Sequence, residues 1–129
     1  MKISFTTLGC PDWSLDDICA RGGDYDGVDF RGLQETMDIT QLPAFTSGVA
    51  ETRRQLQDAG LEVSGVSSSI RVCVPDKLEE NVEEARRSIA VAKDLGCGRI
   101  RVFGGGDSQA HSKEALAEIG RETMEQILT

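Results

Sequence analysis

The sequence lacks the features that mark several large classes of protein. No apolar run reaches the roughly 18 residues that a membrane-spanning helix needs. The amino terminus has neither the long apolar region nor the small-residue cleavage site of a signal peptide. The single histidine, His111, and four scattered cysteines without a CxxC pair predict no zinc site. We therefore expect a cytoplasmic protein with reduced thiols and no membrane partner.

Basic side chains are also scarce relative to acidic ones. Fourteen Lys and Arg residues face 22 Asp and Glu residues, which gives a net charge of −8. Proteins that bind nucleic acid through its phosphates usually carry the opposite balance, so we expect no nucleic acid partner. The run of three glycines at 104–106 matches neither GxxxxGK[ST] nor GxGxxG, which disfavours nucleotide binding. A small-molecule substrate fits the composition better.

What the sequence does contain is a strand followed by a helix, four times over. Strands are predicted near residues 2–7, 26–30, 61–70 and 99–103 from their β-branched and aromatic content. The helices between and after them are predicted to be capped by Ser14, Ser47, Asp76 and Ser112. Strict alternation of this kind predicts parallel strands joined by right-handed crossovers, in a single domain that spans residues 1–129.

Four such units can form a small open sheet or half of an eight-stranded barrel. Polar residues follow every predicted strand, and in barrel enzymes the carboxyl ends of the strands carry the active site. On the second strand, Val28 and Phe30 should face the helices, which leaves Asp29 and Arg31 facing the interior. No strand is the continuous apolar run of a central strand buried on both faces. The predicted fold is therefore α/β, the N-terminal (βα)4 half of a TIM (β/α)8 barrel.

Four stretches of the sequence, in order, carry a family resemblance. They are LGCPDWS at 8–14, DGVDFR at 26–31, GVSSSIR at 65–71 and IRVFGG at 100–105. Together they resemble the sugar-phosphate isomerase/epimerase family of xylose-isomerase-like TIM barrels. The resemblance extends over essentially the whole chain.

This resemblance implies an eight-stranded barrel that binds a sugar or polyol. It also implies a divalent metal (Mn, Mg, Co or Zn), held by carboxylates and a histidine from the last four strands. None of those ligands maps onto this chain, so none of its residues is predicted to be a metal ligand or a catalytic residue. What the resemblance carries over is a substrate-binding wall made of five residues: Trp13, Asp29, Arg31, Arg71 and Phe103.

Three of these residues also have a purely structural explanation. Asp29 either holds a substrate hydroxyl or pairs with Arg31 or Arg101 to steady the barrel mouth. Arg71 either binds phosphate or sugar oxygens beside the preceding serines or is a solvated loop arginine. Trp13 either lines the sugar site or plugs the barrel rim.

We expect the chain to be a segment of a metal-dependent sugar or sugar-phosphate isomerase or epimerase, with little activity alone. One alternative is a half-barrel binding module without enzymatic activity, which forms a homodimer through its open barrel edges. Polyol dehydratases and abasic-site endonucleases share the barrel, and the net charge disfavours the endonuclease. We further expect the natural protein to continue past Thr129.

Overall fold

The computed structural model describes every residue of the chain, 1–129, as four strand-helix units. The strands form one sheet in the order β1-β2-β3-β4, and β2 pairs in parallel with both β1 and β3. This α/β architecture confirms the predicted N-terminal half of a TIM barrel. The elements are β1 Ser4–Thr6, α1 Leu15–Arg21, β2 Gly27–Phe30, α2 Val49–Asp58, β3 Glu62–Arg71, α3 Leu78–Asp94, β4 Ile100–Phe103 and α4 Lys113–Leu128.

The alternation of side chains along β2 follows the sequence pattern. Val28 and Phe30 are fully buried in an apolar cluster, and Asp29 between them is half-buried. Phe5 of β1, which pairs with Val28, packs against the same cluster. The opposite face of these strands therefore carries the polar side chains, including Asp29.

The pairing of β2 with β3 contains one irregularity that the pattern did not predict. Val28 pairs with Val63, but the next residue, Asp29, pairs with Gly65. One residue of β3, Ser64, is thus left over, as in a β-bulge. The slip brings Asp29 next to a residue without a side chain.

Two of the four predicted helix caps are confirmed. The Ser14 side chain accepts from the backbone N–H of Asp17, whose carboxylate accepts from the Ser14 N–H in return, and Ser112 accepts from Ala115 N–H. This reciprocal pair holds the pKa of Asp17 below its usual range. None of the four helices is long and apolar enough to cross a membrane.

The other two predicted caps, Ser47 and Asp76, are wrong. The residue before α2 is Gly48, which caps without a side chain, and Ser47 lies in a turn at residues 46–48 that joins the 3-10 turn Pro43–Phe45 to the helix. Asp76 has a positive φ of 64°, a conformation outside the range of N-cap residues, and α3 begins at Leu78.

The chain divides into two compact units. The first unit comprises Met1–Ser68 and Ser88–Arg101, and the second comprises Ser69–Arg87 and Val102–Thr129. The first has a broad apolar core with Ile18, Val28, Phe30, Leu33, Ile39, Phe45, Leu56, Leu61, Val66, Val91, Ala92, Leu95 and Cys97. The core of the second contains Ile70, Val72 and Ala85, with Cys73, Val102, Met124 and Ile127 packed against it.

Candidate functional site

Asp29 is a half-buried carboxylate on β2, one of the five predicted site residues. Its Oδ1 accepts a hydrogen bond of 2.8 Å from the Ser67 hydroxyl of β3. Ser67 is buried and Asp29 half-buried, so this bond fixes the carboxylate at the polar face of the first unit. A carboxylate held in this way presents its remaining lone pairs as acceptors for hydroxyl groups.

Gly65 makes room for that carboxylate. A Cβ built on Gly65 would lie 2.6 Å from Asp29 Oδ2, which is closer than any real contact. Glycine inside a strand signals the close approach of another group. This signal was present in the sequence, but without the register slip nothing connected Gly65 with Asp29.

Thr7, directly after β1, fixes the turn that carries Arg31. Its buried hydroxyl donates to Gly32 O at 2.6 Å and accepts from the backbone N–H groups of Arg31 at 2.9 Å and Gly32 at 3.2 Å. The Arg31 guanidinium reaches Met37 O at 3.4 Å. Sequence reasoning placed Thr7 at a strand end but did not find its role, because β-branched residues are ordinary there.

Trp13 packs on the other side of β1. Its ring lies edge-on to Phe5 with centroids 6.3 Å apart, and the Arg21 guanidinium stacks 5.2 Å from its centroid. Both aromatic rings pack against the apolar core of the first unit. Its assignment to the sugar-binding wall stays a prediction.

Arg71 and Phe103 belong to the second unit. Arg71 is the last residue of β3 and exposed, and its backbone N–H and C=O are both bonded by the Asn81 side chain. Phe103 ends β4, is half-buried, and accepts from Val72 N–H at 2.9 Å. The structure thus places both at the carboxyl ends of their strands, as expected of site residues in a barrel.

The half-buried thiols nearest the amino terminus are not activated. Burial raises the pKa of Cys10 and of Cys19, and Asp12 and Asp16 add smaller contributions in the same direction. Both therefore remain protonated at neutral pH, when a nucleophile would need the thiolate.

The residues of this chain do not fit the divalent metal that the family resemblance implies. No group of three or more His, Cys, Asp and Glu side chains lies close enough together to hold a metal ion. Asp29 has a hydroxyl partner and a glycine beside it, not further carboxylates. These side chains offer hydrogen-bond donors and acceptors rather than a set of ligands for a cation.

The first unit also has a cavity of about 630 Å³ at the amino ends of its strands. It is lined by Ser4, Asp26, Glu62 and Arg99 among others, and the hydroxyls of Ser4 and Ser64 lie 2.6 Å apart there. This is the end opposite to the one at which Asp29 and Thr7 lie. In barrels that end usually serves stability rather than catalysis.

A solved structure with a similar fold is the probable 3-DHS dehydratase AsbF from Bacillus anthracis, which is involved in petrobactin synthesis. The two chains superpose with a TM-score of 0.74 at 19% sequence identity. The match covers 98% of this chain and 47% of the dehydratase, so this chain spans about half the length of that protein. No curated protein sequence matches the chain.

The sequence itself matches a family model. The model is described as xylose isomerase-like TIM barrel, and the match covers residues 17–128. That range includes most of α1 and all later elements, with four of the five predicted site residues, and excludes Trp13. The chain therefore belongs to the xylose isomerase-like TIM barrel family.

Proposed function

We propose that this chain forms the substrate-binding wall of a barrel enzyme that isomerises or epimerises a sugar, a sugar phosphate or a related polyol. The observation that carries the proposal is the Asp29 carboxylate, bonded by Ser67 and given room by Gly65 at the carboxyl end of β2. Membership of the xylose isomerase-like family supports it as well.

The proposed chemistry of the wall is recognition. Carboxylates accept hydrogen bonds from neighbouring hydroxyls, and sugars and polyols offer such hydroxyls in pairs. Asp29 orients the substrate through its hydroxyls, while Arg31 and Arg71 supply donors for carbonyl, carboxylate or phosphate oxygens. Phe103 and, with least support, Trp13 add apolar surface for the faces of the ring.

The metal ligands that the family resemblance implies are proposed to lie outside these 129 residues. The chain offers no group of side chains to hold the ion, and it matches 47% of the dehydratase structure. The chain alone should then bind substrate weakly and turn it over little. Metal-dependent conversion of a ketose panel by the pure chain with added Mn²⁺ would contradict this part.

The direct test of recognition is an NMR titration of the 15N-labelled chain. The probes are xylose, fructose, fructose 6-phosphate and a cyclic polyol, with a duplex DNA containing an abasic site as the competing class. We expect saturable shifts at the amides of residues 29–32 and 65–67 with at least one sugar or polyol. Shifts with DNA alone would favour the endonuclease alternative over the isomerase.

The homodimer alternative has one observation in its favour. β1 and β4 are the two edges of the sheet, and unpaired edges can add a strand from another chain. Light scattering at micromolar concentration distinguishes a monomer from a homodimer. Twice the mass of one chain would favour a second copy as the partner that completes the barrel.

A further inference from the structure

β3 continues past its pairing with β2. The register between the two strands ends where Phe30 meets Val66, whereas β3 runs on to Arg71. Backbone N–H groups along a strand point alternately to its two neighbours. Val66 and Val72 donate to Arg99 O and Phe103 O on the β4 side, so Ser69 and Arg71 point to the side that lacks a strand.

Helix α3 supplies the missing partners from its side chains. Asn81 Oδ1 accepts from Arg71 N–H at 3.3 Å, and Asn81 Nδ2 donates to Arg71 O at 3.0 Å. One turn later, Glu84 accepts from Ser69 N–H at 2.6 Å. The Asn81 amide thus bonds the N–H and the C=O of one residue through its own acceptor and donor, as one residue of an antiparallel neighbouring strand would.

Asn81 is buried, with 6% of its surface exposed. A buried amide is costly unless its polar atoms are bonded, and here both are bonded to the same residue. Any apolar replacement would leave the N–H of Arg71 without this partner and its C=O with the 3.3 Å bond from Val74 N–H. The amide side chain of Asn81 therefore matches the hydrogen-bonding groups of Arg71 at the end of β3.

The Arg71 side chain itself is oriented by contacts within the same unit. Gly105, with a φ of +66°, lies against it, and a Cβ at Gly105 would be 2.9 Å from Arg71 Cβ. The side chain is exposed, and no hydrogen bond or ion pair engages its guanidinium. A fixed backbone with an unengaged guanidinium is the arrangement that suits binding of an oxyanion.

We infer that Asn81 is a positioning residue for Arg71: it replaces the absent strand and fixes the direction in which the guanidinium leaves the sheet. The inference rests on the proposed role of Arg71 in binding substrate oxygens. The ligand class is an oxyanion, phosphate or carboxylate, on a small substrate.

The experiment titrates the 129-residue chain with inorganic phosphate at pH 7.5 and follows the Arg71 Nε–H signal by NMR. Asn81→Ala should raise the phosphate dissociation constant roughly 5- to 10-fold and speed amide exchange at Arg71. Glu80→Ala is the matched control, because Glu80 lies on the same turn and pairs only with Lys77 in an exposed ion pair. Glu80→Ala should leave the phosphate dissociation constant unchanged.

Asn81→Asp keeps the argument testable if the alanine variant unfolds. At neutral pH the carboxylate still accepts from Arg71 N–H but offers no donor to Arg71 O. Burial favours the protonated form, which regains the donor at pH 5, so phosphate affinity relative to wild type at the same pH should recover. Glu84, one helical turn away, is the other ionisable partner of this end of β3, and its negative charge also favours the protonated form of the introduced carboxyl.

The outcomes separate the two claims. Equal phosphate affinity of wild type and Asn81→Ala would overturn the positioning role and leave the proposed function intact. The same holds if the phosphate affinity of Asn81→Asp relative to wild type does not change with pH. Absence of any phosphate response at Arg71 in wild type would overturn the role of Arg71 in the proposed function, and with it the positioning role.

Discussion

The two units of the chain differ in how they hold their candidate residues. In the first unit, Asp29 and Arg31 lie beside buried hydroxyls of Ser67 and Thr7 and next to a broad apolar core. In the second, Arg71 is exposed and its backbone depends on Asn81, next to a core with few buried apolar residues. Regions with fewer buried apolar contacts open at lower free energy. We therefore expect a rigid first unit and a second unit that opens more readily.

The largest expected effect concerns the core of the first unit. Phe30→Ala removes a fully buried ring that packs edge-on to Phe45, so it should lower the free energy of unfolding by about 3–5 kcal/mol. Ile70→Val in the second unit should cost about 1 kcal/mol and speed amide exchange mainly there. Denaturant unfolding and amide exchange measure both. Amide exchange in Ile70→Val that speeds up as much in the first unit as in the second would contradict the expected difference between the units.

Thr7 tests the hydroxyl that holds the Arg31 turn. Thr7→Val keeps the shape but removes one donor and the acceptor of two N–H groups, and should cost about 2 kcal/mol because the partners are buried. Thr6→Val is the control, since Thr6 is exposed and its hydroxyl accepts only a long bond from Leu8 N–H. Thermal unfolding of the two variants measures the difference in their stability. A loss of stability in Thr6→Val as large as that in Thr7→Val would refute the role of the Thr7 hydroxyl in holding this turn.

Gly65 tests the room given to Asp29. A methyl group in Gly65→Ala would displace the carboxylate and break its bond to Ser67, at a cost of about 1–2 kcal/mol. Gly98→Ala places its methyl group where nothing lies within 4 Å and should be nearly neutral. Chemical denaturation compares the stabilities, and the Asp29 side-chain carboxyl signal reports the displacement. An unmoved carboxylate in Gly65→Ala would contradict the geometry.

The smallest expected effect concerns the cap of α1. Ser14→Ala should cost about 1 kcal/mol at neutral pH. The backbone N–H of Ser14 and, to a smaller extent, its hydroxyl lower the pKa of Asp17, and Ser14→Ala removes only the hydroxyl bond. The stabilisation from that bond is present above the unfolded value near 3.9 and is lost as the pH falls through the lower folded value. The gap between wild type and Ser14→Ala should narrow in acid unfolding below about pH 4. A gap that is constant down to about pH 2 would contradict the bond from the Ser14 hydroxyl to the Asp17 carboxylate.

The spacing of apolar residues and the helix-capping residues predicted most of the secondary structure. The facing of Val28, Asp29 and Phe30 could be predicted because successive side chains of a strand point to opposite faces of the sheet. Ser14 and Ser112 were readable because their caps are local. Ser47 failed because the 3-10 turn before α2, a feature of tertiary packing around Phe45, decides where that helix begins.

The details of the site depended on contacts between distant residues. The register slip that brings Asp29 to Gly65 is not encoded in either strand alone, and neither is the bond from Ser67. Asn81 looks like one more polar residue of an acidic helix until the end of β3 lies beside it. Propensity describes single elements, whereas these contacts arise from how the elements pack.

Recognition of the substrate by Asp29 is tested by the effect of Asp29→Asn on binding of the sugar or polyol that shifts the wild-type amides most. We expect the dissociation constant to rise about tenfold or more, because a neutral amide replaces an acceptor of charge-assisted hydrogen bonds. Asp16→Asn, an exposed carboxylate on α1, is the control and should bind as wild type does. Equal affinity of Asp29→Asn and wild type would contradict the claim that this face of the chain recognises the substrate.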